Sequence, residues 1–132
     1  MDFTRKARFD AGGHTTDTQG LITNSSVVSC DSVQLAFLIA GLNELDVLAG
    51  DVTNAYLNAL CREKIWFEGG VEIGEDRGKV LIAVTRALYG LKSSGAAWQA
   101  DLAATLRYMN FTSTQVDPDI WIRSAGTHYD WC

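Results

Sequence analysis

Residues 88–109 read LYGLKSSGAAWQADLAATLRYM, a stretch that joins a glycine turn to an amphipathic helix. Four apolar residues recur there at helical spacing, namely Trp98, Leu102, Leu106 and Met109. Ser93 or Ser94 precedes them and suits an N-cap, because a serine side chain can accept a hydrogen bond from the first amides of a helix. The stretch therefore predicts a helix that begins at one of these serines and ends near Asn110.

Strands are predicted on both sides of this helix. Short runs of aliphatic, aromatic and β-branched residues are typical of strands, and they occur at 46–52, 64–68, 79–85, 120–123 and 128–132. The turn residues at 54–59 and at Asp117-Pro118-Asp119 separate some of them. The pattern predicts an α+β fold, an antiparallel sheet with helices packed on one face.

A further helix is predicted ahead of these strands. Its apolar stripe consists of Leu35, Leu38, Leu42 and Leu45, and other apolar residues widen the stripe. Ser29 or Asp31 can cap it. A helix that is apolar almost all round is normally buried, so we expect this helix to lie in the core.

Composition restricts the class of protein. A length of 132 residues suits one domain, and no apolar run approaches the length of a membrane span. Without a signal sequence at the N-terminus, a soluble cytoplasmic protein with no membrane contact is expected. Three widely spaced cysteines favour neither a disulfide framework nor a zinc site. The net charge of −5 disfavours a free-standing nucleic-acid binder.

Asp51 lies near the end of the predicted strand 46–52. In an extended chain Asp51 shares a face with Val47, while Asp46 points to the opposite face, so the two carboxylates cannot cooperate. Taken alone, a single aspartate at this place is more often a turn former or a cap than a metal ligand. Tyr56 follows five residues later.

Two sequence blocks give Asp51 a context. They are Asp51-Val-Thr-Asn-Ala-Tyr-Leu57 and Leu88-Tyr-Gly-Leu-Lys-Ser-Ser-Gly-Ala-Ala-Trp98. Together with Arg5-Lys-Ala-Arg8 and Asp117-Pro-Asp-Ile-Trp121, they resemble the reverse transcriptase of copia-type retrotransposons. The resemblance covers nearly the whole chain. It implies a partial fingers and palm structure, with a fingers-like segment and a first buried helix in about 1–45 and an incomplete palm in about 46–132.

The resemblance implies a catalytic role for Asp51. It matches the first carboxylate of the polymerase palm, which binds both divalent ions, and the carbonyl of Val52 would help to hold one of them. The implied metal is Mg²⁺, with Mn²⁺ possible, since hard oxygen ligands suit these ions. In the family two such ions activate the primer 3′ hydroxyl and stabilise the leaving pyrophosphate.

The same resemblance assigns nucleotide-binding roles. Tyr56 matches the aromatic residue under the incoming sugar that excludes a 2′ hydroxyl, although from its residues alone a core tyrosine is the simpler interpretation. Tyr89, Gly90 and Lys92 match the loop beside the incoming nucleotide and the template base. The alternatives are a plain turn for Gly90 and an ordinary exposed lysine for Lys92.

Lys6 and Arg8 match a fingers strand whose basic residues meet the triphosphate, although alternating charges on a strand are usually a solvated face. The family's other two catalytic carboxylates come from a Tyr-Val-Asp-Asp hairpin that this sequence does not contain. The resemblance implies that the complete enzyme uses an RNA or DNA template-primer and deoxynucleoside triphosphates. The chain alone is expected to be inactive and to bind nucleic acid weakly or not at all.

Two other classes of function stay open. The first is a non-catalytic retrotransposon relic or small α+β interaction domain that keeps the fold without the chemistry. The second is an unrelated α+β binding domain, which leaves the joint presence of the two blocks unexplained.

Overall fold

The structure of the protein is a computed structural model that describes residues 10–13, 17, 20–61, 63, 65–82 and 85–132. In chain order its elements are α1 (Cys30–Leu42), α2 (Ala55–Asn58), β1 (Trp66–Glu68), a 3₁₀ helix (Val71–Asp76), β2 (Val80–Ile82), α3 (Ser94–Tyr108), β3 (Thr112–Ser113), β4 (Trp121–Ser124) and β5 (Tyr129–Trp131). The helices and antiparallel strands confirm the predicted α+β class.

The chain forms two compact units, and neither is continuous in sequence. The first contains the described residues up to Asn24 together with Asn54–Gln99, and the second contains Ser25–Thr53 together with Ala100–Cys132. Strand β1 of the first unit pairs antiparallel with β2, with Trp66 opposite Ile82 and Glu68 opposite Val80.

The first unit contains a second antiparallel pairing between the same parts of the chain. Leu60 and Arg86 form an isolated bridge, and the Ala87 amide donates to the Ala59 carbonyl at 3.0 Å. The side chains of Ala59 and Ala87 are each 1% exposed, so the backbones approach closely. This pairing fixes the end of α2 beside the segment that begins at Leu88.

The second unit contains the sheet β3-β4-β5, which is antiparallel throughout. Helix α3 packs on it through a small core of Leu106, Phe111 and Trp121, with Ala103 at its edge. Asn110 adopts a left-handed conformation after α3, and the Phe111 amide then donates to the Leu106 carbonyl at 2.9 Å. The helix predicted from position 93 or 94 to about Asn110 is therefore confirmed.

Helix α1 begins as predicted but is not buried. The Ser32 amide donates to Ser29 Oγ at 3.1 Å, which confirms the predicted cap. No residue of the helix is buried, however, and Leu35 and Phe37 are 55% and 58% exposed. The prediction of a first buried helix is therefore wrong. A helix that is apolar on all sides needs neighbours on all sides, whereas one side of α1 lines an open groove of about 820 Å³ together with residues of β5.

The predicted strand 46–52 does not form. Residues 45–52 belong to no helix or strand, and the side chains of Leu48 and Val52 are 95% and 50% exposed. A strand is stable only when a neighbouring strand completes its hydrogen bonds, and no described residue pairs with this segment. The assignment of Asp51 and Val47 to one face of a strand is consequently wrong.

Candidate functional site

The predicted site residues are divided between the two units. Tyr56, Tyr89, Gly90 and Lys92 belong to the first unit, and Asp51 with Val52 belongs to the second. Lys6 and Arg8 lie outside the described residues.

The rings of Tyr56 and Tyr89 are in contact. Their centroids are 4.9 Å apart with an interplanar angle of 36°, and both side chains are half-buried. Such aromatic pairs contribute about 0.5–1.5 kcal/mol beyond the area that they bury. The structure thus brings together one residue from each of the two blocks, residues 51–57 and 88–98, that are far apart in the sequence.

The position of Tyr56 follows from the local backbone. Asn54 adopts a left-handed conformation with φ of 54°, and one turn of helix, α2, follows it. The Arg86 guanidinium donates to the carbonyl of Asn58, the last residue of α2, at 2.8 Å. This hydrogen bond therefore holds the end of α2 beside residues 86–89.

Gly90 lies in close backbone contact with residues 11–13. Its φ is +87°, and a Cβ atom built on it would collide with the Ala11 carbonyl. A Cβ on Gly13 would collide in turn with the Gly90 carbonyl, and the Ala11 amide donates to the Tyr89 carbonyl at 2.8 Å. Gly90 is therefore a position where two backbone segments of this chain meet, and its predicted role beside the incoming nucleotide stays a prediction.

The turn between Gly90 and α3 is closed by hydrogen bonds. Ser94 Oγ donates to the Leu88 carbonyl at 2.6 Å, and the Ser94 amide donates to the Leu91 carbonyl at 3.3 Å. Ser94 is 1% exposed and Leu91 is 6% exposed. Lys92, at the outside of this turn, is exposed.

Glu63 is a buried carboxylate at this turn that the sequence did not reveal. Its Oε1 atom accepts hydrogen bonds from the Ser93 amide at 3.1 Å and from the Ser93 hydroxyl. The side chain is 8% exposed, and Oε2 has no hydrogen-bond partner among the residues that the structure describes. Since Ser93 is 30 positions away, no local periodicity could have identified the pair.

Asp51 is exposed and lies in the irregular segment after α1. Its carboxylate and the Val52 carbonyl are hard oxygen donors of the kind that Mg²⁺ prefers. The described part of the chain contains no group of three or more metal-ligating side chains. These residues therefore fit a divalent ion in kind, but the described residues do not provide the number of ligands that a two-metal centre needs.

Asp117 organises the turn before β4 within the second unit. Its two carboxylate oxygens accept from the Ser29 and Asp119 amides, each at 3.1 Å. The Ser32 hydroxyl and then these amides hold the pKa of Asp117 below its ordinary value of 3.8, because hydrogen bonds favour the charged form. The predicted turn at this place is confirmed, and it connects β4 to the start of α1.

The chain is similar to proteins of one known family. Residues 2–129 match the model of a family described as reverse transcriptase (RNA-dependent DNA polymerase). The chain is 32% identical to the Transposon Ty1-BL Gag-Pol polyprotein of Saccharomyces cerevisiae, over 80% of the chain and 6% of that protein. It is 31% identical to the Truncated transposon Ty1-A Gag-Pol polyprotein of the same yeast, over 80% of the chain and 9% of that protein.

A plant relative shows the same pattern. The Retrovirus-related Pol polyprotein from transposon RE1 of Arabidopsis thaliana is 25% identical over 79% of the chain and 7% of its own length. The chain therefore spans less than a tenth of the length of each of these relatives. No solved structure matches the chain significantly. Among the described residues, no helix combines the length and the apolar character that crossing a membrane requires.

Proposed function

The chain belongs to the reverse transcriptase family of copia-type retrotransposons, and from this premise we propose that its residues form part of a site for nucleotidyl transfer. The substrates proposed are an RNA or DNA template-primer and deoxynucleoside triphosphates. The observation that carries the proposal is the contact between Tyr56 and Tyr89. This contact joins the two sequence blocks that indicate the family. The alternative of an unrelated α+β binding domain does not explain why both blocks are present.

Tyr56 is proposed to lie under the sugar of the incoming nucleotide. A ring held on a short helical turn and supported by a second ring cannot easily move aside. A fixed aromatic edge excludes a 2′ hydroxyl by contact, which requires no hydrogen bond to the sugar. Tyr89 and Gly90 then form the adjoining wall.

We also propose that the triphosphate of the incoming nucleotide binds cationic side chains, those of Lys6, Arg8 and Lys92. Lys92 is exposed at the turn before α3, and Lys6 and Arg8 precede the residues that contact Gly90. Lysine and arginine bind phosphate through charge-assisted hydrogen bonds. These cations would attract phosphate locally, but the chain as a whole carries a net charge of −5. We therefore propose that the chain alone binds nucleic acid weakly or not at all.

Asp51 and the Val52 carbonyl are proposed to hold divalent metal, with Mg²⁺ as the physiological ion and Mn²⁺ as a substitute. When bound, the metal supplies charge stabilisation for the phosphates and lowers the pKa of the attacking hydroxyl. The exposed position of Asp51 leaves its carboxylate accessible to an ion. Because one carboxylate does not complete this centre, the 132-residue chain alone is proposed to be inactive.

The test is primer extension with Mg²⁺ or Mn²⁺. The chain alone is expected to give no product, and a polymerase in which the chain is continued by the corresponding region of the yeast relative is expected to extend the primer. Asp51→Asn should abolish extension, while Asp46→Asn, a matched change in the same exposed segment, should leave it intact. Synthesis that survives Asp51→Asn would contradict the metal role.

Sugar selectivity tests Tyr56 in the same completed polymerase. Tyr56→Val should increase incorporation of ribonucleotides relative to deoxyribonucleotides, because the contact that excludes the 2′ hydroxyl is removed. Tyr108→Val is the control, since Tyr108 is 89% exposed. Unchanged selectivity in Tyr56→Val would remove the assignment.

A non-catalytic interaction domain is the second candidate, and the exposed face of α1 favours it. Apolar side chains of α1, β5 and the 44–48 segment line the groove of about 820 Å³. Exposed apolar surfaces of this kind often bind another protein surface. A completed polymerase that folds but never extends a primer would favour this candidate.

A further inference from the structure

We propose that Glu63 is a positioning residue that fixes the turn 88–92 for the incoming nucleotide. The inference rests on the proposed function, because it assigns to Glu63 the orientation of Tyr89 and Lys92. Glu63 lies outside the two blocks that indicate the family, and its hydrogen bonds with Ser93 distinguish it from the exposed carboxylates of the unit.

The carboxylate of Glu63 acts at a single point of the turn. Its Oε1 atom accepts both the amide and the hydroxyl of Ser93, the residue directly after Lys92. Ser93 is 7% exposed and Glu63 is 8% exposed, so water competes little with these bonds. Hydrogen bonds to an ionised acceptor are stronger than those between neutral groups.

Burial of the Glu63 carboxylate carries a cost in free energy. A buried charge loses its hydration, and Oε2 gains no compensating bond from the described residues. The amino end of α3 offers a favourable field for a negative charge. A glutamine could accept both bonds from Ser93 through its own Oε1 atom, so Glu63→Gln preserves this contact while removing the acidic group.

The constraint passes from Ser93 to the turn through the backbone. Ser94, the next residue, donates from its hydroxyl to the Leu88 carbonyl at 2.6 Å. Residues 88–92 are consequently closed between two fixed points, Leu88 at one end and Ser93 at the other. When the contact with Glu63 is lost, Ser93 is released, and Tyr89 and Lys92 sample more orientations.

The first experiment uses the 132-residue chain. Amide hydrogen exchange by NMR should show faster exchange at Ser93 and Ser94 in Glu63→Ala than in the parent, by roughly tenfold or more. Amide exchange around Leu106, near the carboxyl end of α3, should stay unchanged. Glu75→Ala, which removes an exposed carboxylate of the same unit, is the control. Unchanged exchange at Ser93 in Glu63→Ala would overturn the inference.

The second experiment uses the completed polymerase and separates KM from kcat. Glu63→Ala should raise KM for deoxynucleoside triphosphates roughly tenfold and change kcat by about threefold or less, because a disordered turn weakens binding before chemistry. Glu63→Gln keeps an acceptor for Ser93 and should restore most of the loss. Glu63→Met, which has a similar length but no oxygen acceptor for Ser93, keeps the test decisive if Glu63→Ala does not fold. A KM for Glu63→Met above that of Glu75→Met by threefold or more supports the role, and a smaller difference contradicts it.

A double-mutant cycle identifies the route. If Glu63 acts through Ser93, then Ser93→Ala in the Glu63→Ala background should add little to KM. Additive effects, or equal changes in KM for nucleotide and for template-primer, would overturn the positioning role. A parent polymerase without activity would instead contradict the proposed function, while the exchange experiment on the chain would still decide the role of Glu63 in the turn.

Discussion

Replacing Gly90 by alanine should destabilise the first unit through two separate effects. The φ of +87° lies in the left-handed region, where a Cβ atom costs about 1–2 kcal/mol. The added Cβ would also collide with the Ala11 carbonyl, a backbone atom that cannot rotate away. Overpacking of this kind typically costs about 1–3 kcal/mol. The expected loss is about 2–5 kcal/mol, against a total stability of about 5–15 kcal/mol for a domain.

Two further substitutions separate these effects. Gly13→Ala introduces a collision with the Gly90 carbonyl, and its backbone lies outside the left-handed region, so about 1–3 kcal/mol is expected. Gly78→Ala introduces the left-handed penalty at a φ of +73° with no atom closer than 4.0 Å, so about 1–2 kcal/mol is expected.

The assay is urea unfolding followed by circular dichroism, with the free energy of unfolding extrapolated to water for the parent and each variant. Gly90→Ala should lose more stability than either Gly13→Ala or Gly78→Ala. If Gly90→Ala and Gly78→Ala lose the same free energy, the close contact between Gly90 and Ala11 does not exist in the folded protein. The reasoning about this turn would then be refuted.

Three residues of the second unit provide further tests, with Trp66 of the first unit as an exposed control. The pKa of Asp117 is lowered in the folded state, so its ionised form stabilises the fold above pH 3.8. This contribution disappears as the pH falls through the folded pKa. Asp117→Asn should therefore flatten the dependence of the free energy of unfolding on pH in that window. Trp121→Ala should cost about 3–5 kcal/mol of unfolding free energy, because the ring is 8% exposed, and Trp66→Ala, at 69% exposed, should cost about 1 kcal/mol or less. Ser29→Ala should cost about 1 kcal/mol through loss of the α1 cap, measured in the same unfolding assay.

The sequence predicted those parts of the fold that depend on neighbouring residues in the chain. Helix α3 has an apolar repeat and serines at its start, and α1 has a capping serine, so both were located from local signals. The turn at Asp117-Pro118-Asp119 was located from its residue types for the same reason. These features depend on a few consecutive residues and change little with tertiary contacts.

Features that depend on distant partners were not predictable in the same way. The burial of α1 depends on what surrounds it, and a strand at 46–52 depends on a pairing segment, so composition alone gave the wrong expectation for both. Glu63 needs Ser93, which lies 30 positions away. Of the candidate site, the sequence marked Tyr56 and Tyr89 by resemblance, but the contact between their rings required the structure.

The interleaving of the two units has a consequence for how this chain can change. Each unit is assembled from two separate stretches, with crossings after Asn24, Thr53 and Gln99. Any single cut in the sequence between the outer crossings therefore leaves at least one unit without part of its residues. A single crossover or a terminal truncation therefore cannot remove one unit entirely and leave the other complete.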